Sequence, residues 1–371
     1  METQIDISEY NNNTRYTQLN EIVLISHTDL DGYGCNLVLR SQNLEDRCEI
    51  NCIYENVSNI DSDDKIHDIV WNYIKTNTLP LNIFITDLAP KREEVIELID
   101  HFNIDYPGII HVIDHHDTSS KLLSKYKWCR IISGTWMSGT ELFYQYIRSC
   151  ISDDGIFKNS HEFEMIENIV HTISRYDTWA WKTDYRDGSE VYMNAIFGTY
   201  SNKLAFVDDI YDFITNSSEC SANSLYEKYE RDIDNYKCSI SNSCKRAEKS
   251  AIPCKLQEYS CLLLISEGNV SEVSEYLKTK YQNADIIITL FPKEHSCSLR
   301  SNRNDINLGR LARYLSTDGN GGGHCQAAGC VLKPHFMLKL IEYYYLTIEC
   351  NYDLDDIDST NYSGCVDIML F

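Results

Sequence analysis

Asp114, His115 and His116 stand together behind the apolar run Ile109-Ile110-His111-Val112-Ile113. Upstream, His27, Asp29 and Asp31 alternate behind Ile22-Val23-Leu24-Ile25, and Asp87 follows Ile83-Phe84-Ile85-Thr86. Consecutive titratable groups at the end of a buried strand are costly to desolvate unless paired or metal-bound. Carboxylate oxygens suit hard divalent cations, and manganese also accepts imidazole. Two such cations about 3.5–4 Å apart suit hydrolysis of phosphoesters. Metal-assisted attack on phosphorus is therefore the chemistry these residue types suggest.

Each motif alone has a plainer meaning. In an extended segment His27, Asp29 and Asp31 share one face, but the same residues also make a polar turn, with Gly32 and Gly34 letting the chain bend into a helix. Asp87 alone reads as the N-cap of a helix starting at 91. Asp177 ends the helical stretch Glu162 to Arg175 beside Tyr176 and Trp179, and by itself says little. A second kind of candidate lies near the C-terminus, where Gly321, Gly322 and Gly323 precede His324. Successive glycines either make a flexible turn or bring backbone N–H groups close to a phosphate. Arg300, Ser301 and Arg303 lie just upstream and favour the phosphate.

These residues need elements to hold them. Residues 21–116 alternate strand-like runs with amphipathic segments, such as Lys91 to Asn103 with Val95, Ile96, Leu98 and Ile99 on one face. That rhythm predicts a mainly parallel sheet, whose strand carboxyl ends are where ligands bind. Residues 133–150 turn helical from Glu141, with nearby Ser and Thr as N-cap candidates. Tyr226 to Ala251 reads as one long helix. A second α/β rhythm runs through Cys261–Ile265, Ile286–Leu290, Cys297–Arg300, the helix Leu308–Leu315 and a closing helix Phe336–Tyr345. The expected division is a polar arm at 1–20, a catalytic domain at 21–200, a helical linker at 201–255, a smaller α/β domain at 256–345 and an acidic tail at 346–371.

The 371 residues suit two domains, and 43% are hydrophobic, enough for sizeable cores. The formal net charge of -23 argues against a long duplex-binding groove while leaving a small anionic substrate in a metal pocket open. None of the 15 cysteines forms a CxxC pair, and they read as mostly reduced, buried hydrophobes. The acidic start Met-Glu-Thr-Gln shows no signal-peptide pattern, and no run nears the ~18 apolar residues of a membrane span. A cytoplasmic protein is expected.

Taken in order, His27-x-Asp29-x-Asp31-Gly32, Asp87, Asp114-His115-His116, Asp177 and Gly321-Gly-Gly-His324 resemble the DHH phosphoesterase superfamily over about residues 21–180, and its DHHA1-type domain over about 256–345. The first motif together with Arg175-Tyr176-Asp177-Thr178-Trp179 resembles the nanoRNase B-like branch of short-oligoribonucleotide exonucleases. It is less similar to inorganic pyrophosphatases, whose first motif spaces its His further from the Asp. The large extra domains of RecJ-type exonucleases are not expected.

The resemblance implies a parallel-sheet catalytic domain and a smaller α/β domain closing over a cleft. It implies two manganese ions, with magnesium as the other choice. Asp29 and His27 would ligate one ion, and Asp31, His115 and Asp177 the other, with Asp87 bridging. His116 would contact the scissile phosphate, and Arg300, Ser301, Gly322, Gly323 and His324 would bind substrate. The implied activity is a 3′–5′ exonuclease or phosphodiesterase on short oligonucleotides or linear dinucleotides. Alternatives are a phosphatase acting on 3′-phosphoadenosine 5′-phosphate and a catalytically inactive interaction scaffold. Neither duplex DNA nor a membrane is expected as partner, and the oligomeric state is left open, a dimer included.

Overall fold

The computed structural model describes residues 16–58, 61–134, 137–150, 160–182, 189–216, 222–265, 268–303, 305–319, 321–323 and 325–349. His324, the first fifteen residues of the expected arm and the tail from 350 lie outside them. The chain divides after Lys228 into two compact units.

The first unit begins β1 (Thr17–Gln18), β2 (Glu21–His27), α1 (Leu30–Arg40), α2 (Leu44–Cys48), β3 (Asn51–Val57), α3 (Ser62–Thr76), β4 (Thr78–Leu79) and β5 (Asn82–Thr86). It continues α4 (Glu93–Asp105), β6 (Ile110–Asp114), α5 (Asp117–Leu123) and β7 (Cys129–Ile131), then α6 (Gly139–Cys150), α7 (Ser160–Asp177), α8 (Ser189–Thr199), α9 (Lys203–Asn216) and α10 (Ala222–Lys228). Five strands form a sheet in the order β3-β2-β5-β6-β7, every pair parallel. The chain runs from β2 outward to β3, then returns to β5 on the other side of β2. The order reverses between β2 and β5, and such a switch point opens a crevice at the carboxyl ends of the strands.

Helices on both faces explain the unbroken apolar runs. Val23, Ile25, Ile83, Ile85 and Val112 pack with Ile66 and Val70 of α3 and with Val95, Ile99 and Phe102 of α4. On the same strands Leu24 is also fully buried, and the Phe84 ring lies 5.3 Å from that of Phe143 on α6. Each fully buried Leu or Ile contributes roughly 1.5–3 kcal/mol. The arm is not wholly loose, because β1 pairs in parallel with β4.

The long helix expected over Tyr226 to Ala251 is broken. Tyr229 leaves helical geometry (φ −110°, ψ 18°) between α10 and α11 (Glu230–Ser250). No glycine or proline marks the break; Tyr229 is buried there, and the two units divide at the same place. The second unit continues β8 (Ile252–Leu256), β9 (Tyr259–Ile265), α12 (Val270–Lys280), β10 (Ile286–Phe291) and β11 (Ser296–Arg300), then α13 (Leu308–Leu315), β12 (Gly322–Gly323), β13 (Ala327–Val331) and α14 (Pro334–Glu349).

Its sheet runs β12-β13-β11-β10-β9-β8, with only β9 and β10 parallel. Leu263, Ile288 and Leu299 face α13 and α14, while Leu262, Leu264 and Ile287 face α11 and α12. The architecture is thus a parallel α/β unit followed by a smaller mixed α/β unit. The described cysteines are all free thiols, six of them buried.

Candidate metal centre

Three adjacent strands end at the same level. His27 closes β2, Asp87 follows Thr86 of β5, and Asp114 closes β6. The register aligns them, with Ser26 opposite Thr86 and Thr86 opposite Ile113. Behind them, Ser26 Oγ donates to the Thr86 carbonyl at 3.1 Å and Thr86 Oγ1 donates to Ser26 Oγ at 2.9 Å. Asp87 itself sits at φ 56°, in the left-handed region. Asp tolerates that region better than most residues, and such outliers gather at functional sites. Its N-cap reading fails, since α4 starts at Glu93 with Arg92 as cap residue and no side-chain capping bond.

His115 lies at the centre, 3% exposed, and its Nε2 is 3.3 Å from Asp87 Oδ1, 3.5 Å from Asp177 Oδ2 and 3.9 Å from Asp31 Oδ2. Potential ligand atoms of Asp31, His115 and Asp177 fall within 4.8 Å of one another, and so do those of His27, Asp29 and Asp87. His27, Asp29 and Asp31 therefore do not share one extended face. Asp29 caps α1, its Oδ1 accepting from Gly32 N at 3.0 Å, and Asp31 sits in the first helical turn. The strand-to-helix turn sends the first two acids of the motif into different groups.

The glycines also differ from expectation. Gly32 and Gly34 are inside α1 and make no turn. A Cβ on Gly32 would strike the His27 backbone, and one on Gly34 would strike the Thr140 side chain. They serve close approach.

Electrostatics separates the acids. Burial, then the charges of Asp31, Asp29 and Asp177, push the Asp87 carboxyl well above the usual range. Burial, then Asp31 and Asp29, do the same to Asp177. Burial also opposes ionisation of Asp29, but His27, with its Nδ1 at 2.7 Å, and the Gly32 N–H outweigh it and hold Asp29 well below that range. Against burial, Asp29 in turn raises the His27 imidazole. Oδ2 of Asp87 and Oδ2 of Asp177 are shielded from solvent and accept no hydrogen bond among the described residues. Crowded, desolvated carboxylates with unused oxygens and an imidazole among them fit divalent cations, which supply the missing positive charge.

Two supports add to these groups: Asp114, singled out in the sequence but given no role there, and a turn the sequence did not connect to the site. Asp114 is fully buried, and its Oδ1 accepts from His115 N and faces His116 Nδ1, both at 2.8 Å. Burial opposes its charge, but His116 beside it keeps it well below the usual carboxylate range. The first letter of the Asp-His-His triplet thus orients the other two. At the start of α6, Gly139 N and Thr140 N donate to the Asp31 carboxylate at 2.8 and 3.1 Å. The capping expected there is slight: Ser138 Oγ accepts only from Glu141 N, at 3.5 Å. Nothing in the sequence signals that this turn reaches Asp31.

In the second unit Arg300 is half-buried, and its Nη1 donates to Ser298 Oγ at 2.5 Å and to the Leu299 carbonyl at 3.0 Å. Ser301 is 1% exposed; its hydroxyl donates to the Asp285 carbonyl at 2.7 Å and accepts from Arg303 N at 3.0 Å. Arg303 is spent on Asp285 and Asp305, at 2.7 and 2.5 Å. Arg310 and Arg313 lie exposed on α13. Gly322 and Gly323 form the edge strand β12. A Cβ on Gly323, at φ 132°, would strike β13, and one on Gly321 would strike the Ala312 backbone. Close packing already requires those two glycines.

The chain is similar to several known proteins. The DHHA1 domain model matches residues 259–344. Oligoribonuclease NrnB of Bacillus subtilis (strain 168) is 24% identical over 315 residues, spanning 83% of this chain and 72% of the relative. Among solved structures, the pGpG-specific phosphodiesterase PggH from Vibrio cholerae has a TM-score of 0.46 at 16% identity, over 89% of this chain and 100% of that one. RecJ from Thermus thermophilus, in complex with Mn2+, has a TM-score of 0.49 at 9% identity, over 90% of this chain and 52% of that one. The second unit thus matches a DHHA1 domain, and the chain as a whole, with the ordered acid and imidazole motifs of its first unit, is similar to a nanoRNase-type oligoribonuclease.

Proposed function

We propose that the enzyme removes nucleotides from the 3′ end of short oligonucleotides, or splits linear dinucleotides, using two divalent cations, manganese before magnesium. Asp29 and His27 hold one cation, Asp31, His115 and Asp177 the other, and Asp87 serves both. One observation carries this reading: Asp87 groups with His27 and Asp29 while its Oδ1 lies 3.3 Å from His115 Nε2, beside Asp31 and Asp177. When bound, the cations supply Lewis acidity at phosphorus and ease deprotonation of the attacking water. The name of the Bacillus subtilis relative, an oligoribonuclease, supports the choice of substrate.

The protein's own groups do the rest. His116, held by Asp114, contacts the scissile phosphate. Arg300 and His324 bind terminal phosphates from the second unit; Ser301 supports Arg303 locally. The net charge of -23 leaves little basic surface to follow a long backbone, and long nucleic acid binds through many neutralised phosphates. Substrates of about two to five nucleotides should therefore outpace long single strands, with duplexes inert.

A panel of labelled dinucleotides, pentamers, long RNA, duplex DNA and 3′-phosphoadenosine 5′-phosphate, each with manganese, tests the proposal. Faster turnover of the short oligonucleotides is expected. Equal rates on long strands refute the length preference, and turnover of 3′-phosphoadenosine 5′-phosphate alone makes the enzyme a nucleotide phosphatase.

A further inference from the structure

The first turn of α6 is joined to Asp31 by more than helix capping requires. A helix start leaves several N–H groups to be satisfied by nearby side chains or water. Here two go to a carboxylate 108 and 109 residues away: Gly139 N to Oδ2 and Thr140 N to Oδ1. A third bond fixes the main chain of the same residue, as Thr140 Oγ1 donates to the Asp31 carbonyl at 2.5 Å. A carboxylate offers about four lone-pair sites, so one N–H on each oxygen orients the group while leaving it able to bind a cation.

Space around this contact has been cleared on both helices. A Cβ on Gly139 would lie 2.6 Å from Asp87 Cβ and 3.0 Å from Asp31 Oδ2. A Cβ on Gly34, one turn along α1 from Asp31, would strike the Thr140 side chain. Only with both side chains absent does the turn reach the two acids. The turn is tied on its other side as well, since Ser138 N donates to Ser174 Oγ at 3.1 Å, three residues before Asp177.

We propose that Thr140 is a positioning residue, which with Gly139 and Ser174 holds Asp31 in the orientation that binds metal. This rests on the reading of Asp31 as a metal ligand. The turn touches Asp31 through its backbone and one hydroxyl, and its role is to prearrange the carboxylate before a cation arrives. Partners that orient metal ligands typically matter 10- to 100-fold to affinity or activity, roughly speaking.

The test uses the full chain stripped of metal, with manganese affinity measured by calorimetry and apo melting temperature measured alongside. Thr140→Val keeps the shape and the N–H but removes the hydroxyl donor. It should weaken manganese binding on the order of ten-fold, with Thr140→Ser restoring it. Wild-type affinity in T140V overturns the proposal. A fall in apo melting temperature with affinity unchanged, or a loss that T140S fails to rescue, makes Thr140 structural only and overturns it equally. Should T140V not fold, Ser174→Ala releases the same turn from α7; a smaller loss of affinity is expected, and unchanged affinity overturns the proposal. Asp31→Asn separates the two levels. If D31N binds manganese as wild type, Asp31 is no ligand and the underlying reading fails; if D31N loses a cation while T140V does not, only the positioning role fails.

Discussion

In the first unit, Asp87 after β5 and Asp177 at the end of α7 each keep a shielded oxygen with no hydrogen bond among the described residues. Around Ser301 in the second unit the hydroxyl is used up on the Asp285 carbonyl and the Arg303 N–H, and the Asp285 carboxylate on the Arg303 guanidinium. Both places are polar, and both lie beside the ends of strands. A buried polar group left unsatisfied costs about 1–3 kcal/mol, so one cluster is kept at the expense of folding while the other serves folding. Polarity alone did not distinguish them; the state of each hydrogen bond did.

The hardest way to break this contrast is at Asp87. Asp87→Ala should abolish turnover and weaken manganese binding beyond the roughly hundred-fold that outer partners reach, while raising apo stability by removing a desolvated acid. Calorimetry, rate assays and melting curves read all three. An apo protein made less stable would mean that Asp87 is structural.

Next is the Asp114 support. Asp114→Asn should lower turnover roughly 10- to 100-fold through a misplaced His116 and leave manganese affinity nearly intact. Parallel loss of metal would place Asp114 among the ligands.

The contrast also has a pH signature. Asp87 and Asp177 titrate above the usual carboxylate range, so the native state holds more protons than the unfolded chain between that range and their raised values. Stability of the metal-free protein falls as pH rises through that window. Asp29 and Asp114 act oppositely, their stabilisation being lost only as pH falls below the ordinary range. Melting with chelator should therefore weaken from about pH 5 towards 8, and manganese should reverse the trend by holding the carboxylates charged. A chelated protein that gains stability over that span argues against crowded acids.

The smallest effects lie in the second unit. Arg300→Ala or His324→Ala should raise KM with metal affinity unchanged, whereas Ser301→Ala should cost about 1 kcal/mol of stability and leave KM alone. A KM effect in S301A would move Ser301 into the binding surface.

Much of this was legible in the sequence. Ile and Val runs buried on both faces announced β2, β5 and β6, because only a sheet covered on both sides hides unbroken apolar strands. The α13 bounds, Leu308–Leu315, follow from helical periodicity. β3 was harder to see, since as an edge strand it is largely half-exposed and its residues mix polar with apolar. The break at Tyr229 carries no proline or glycine, so no local signal announced it.

By itself the sequence determined which residues are candidates for chemistry: acids and imidazoles placed immediately after apolar strand-like runs, where the chain must leave the sheet. Tertiary structure alone decided how those residues divide. The turn after β2 sends Asp29 and Asp31 into different groups, and α6 arrives from 108 residues away to hold Asp31. Periodicity reports which face of one element is buried, whereas a contact between elements so distant in sequence depends on how they pack. No local pattern encodes it.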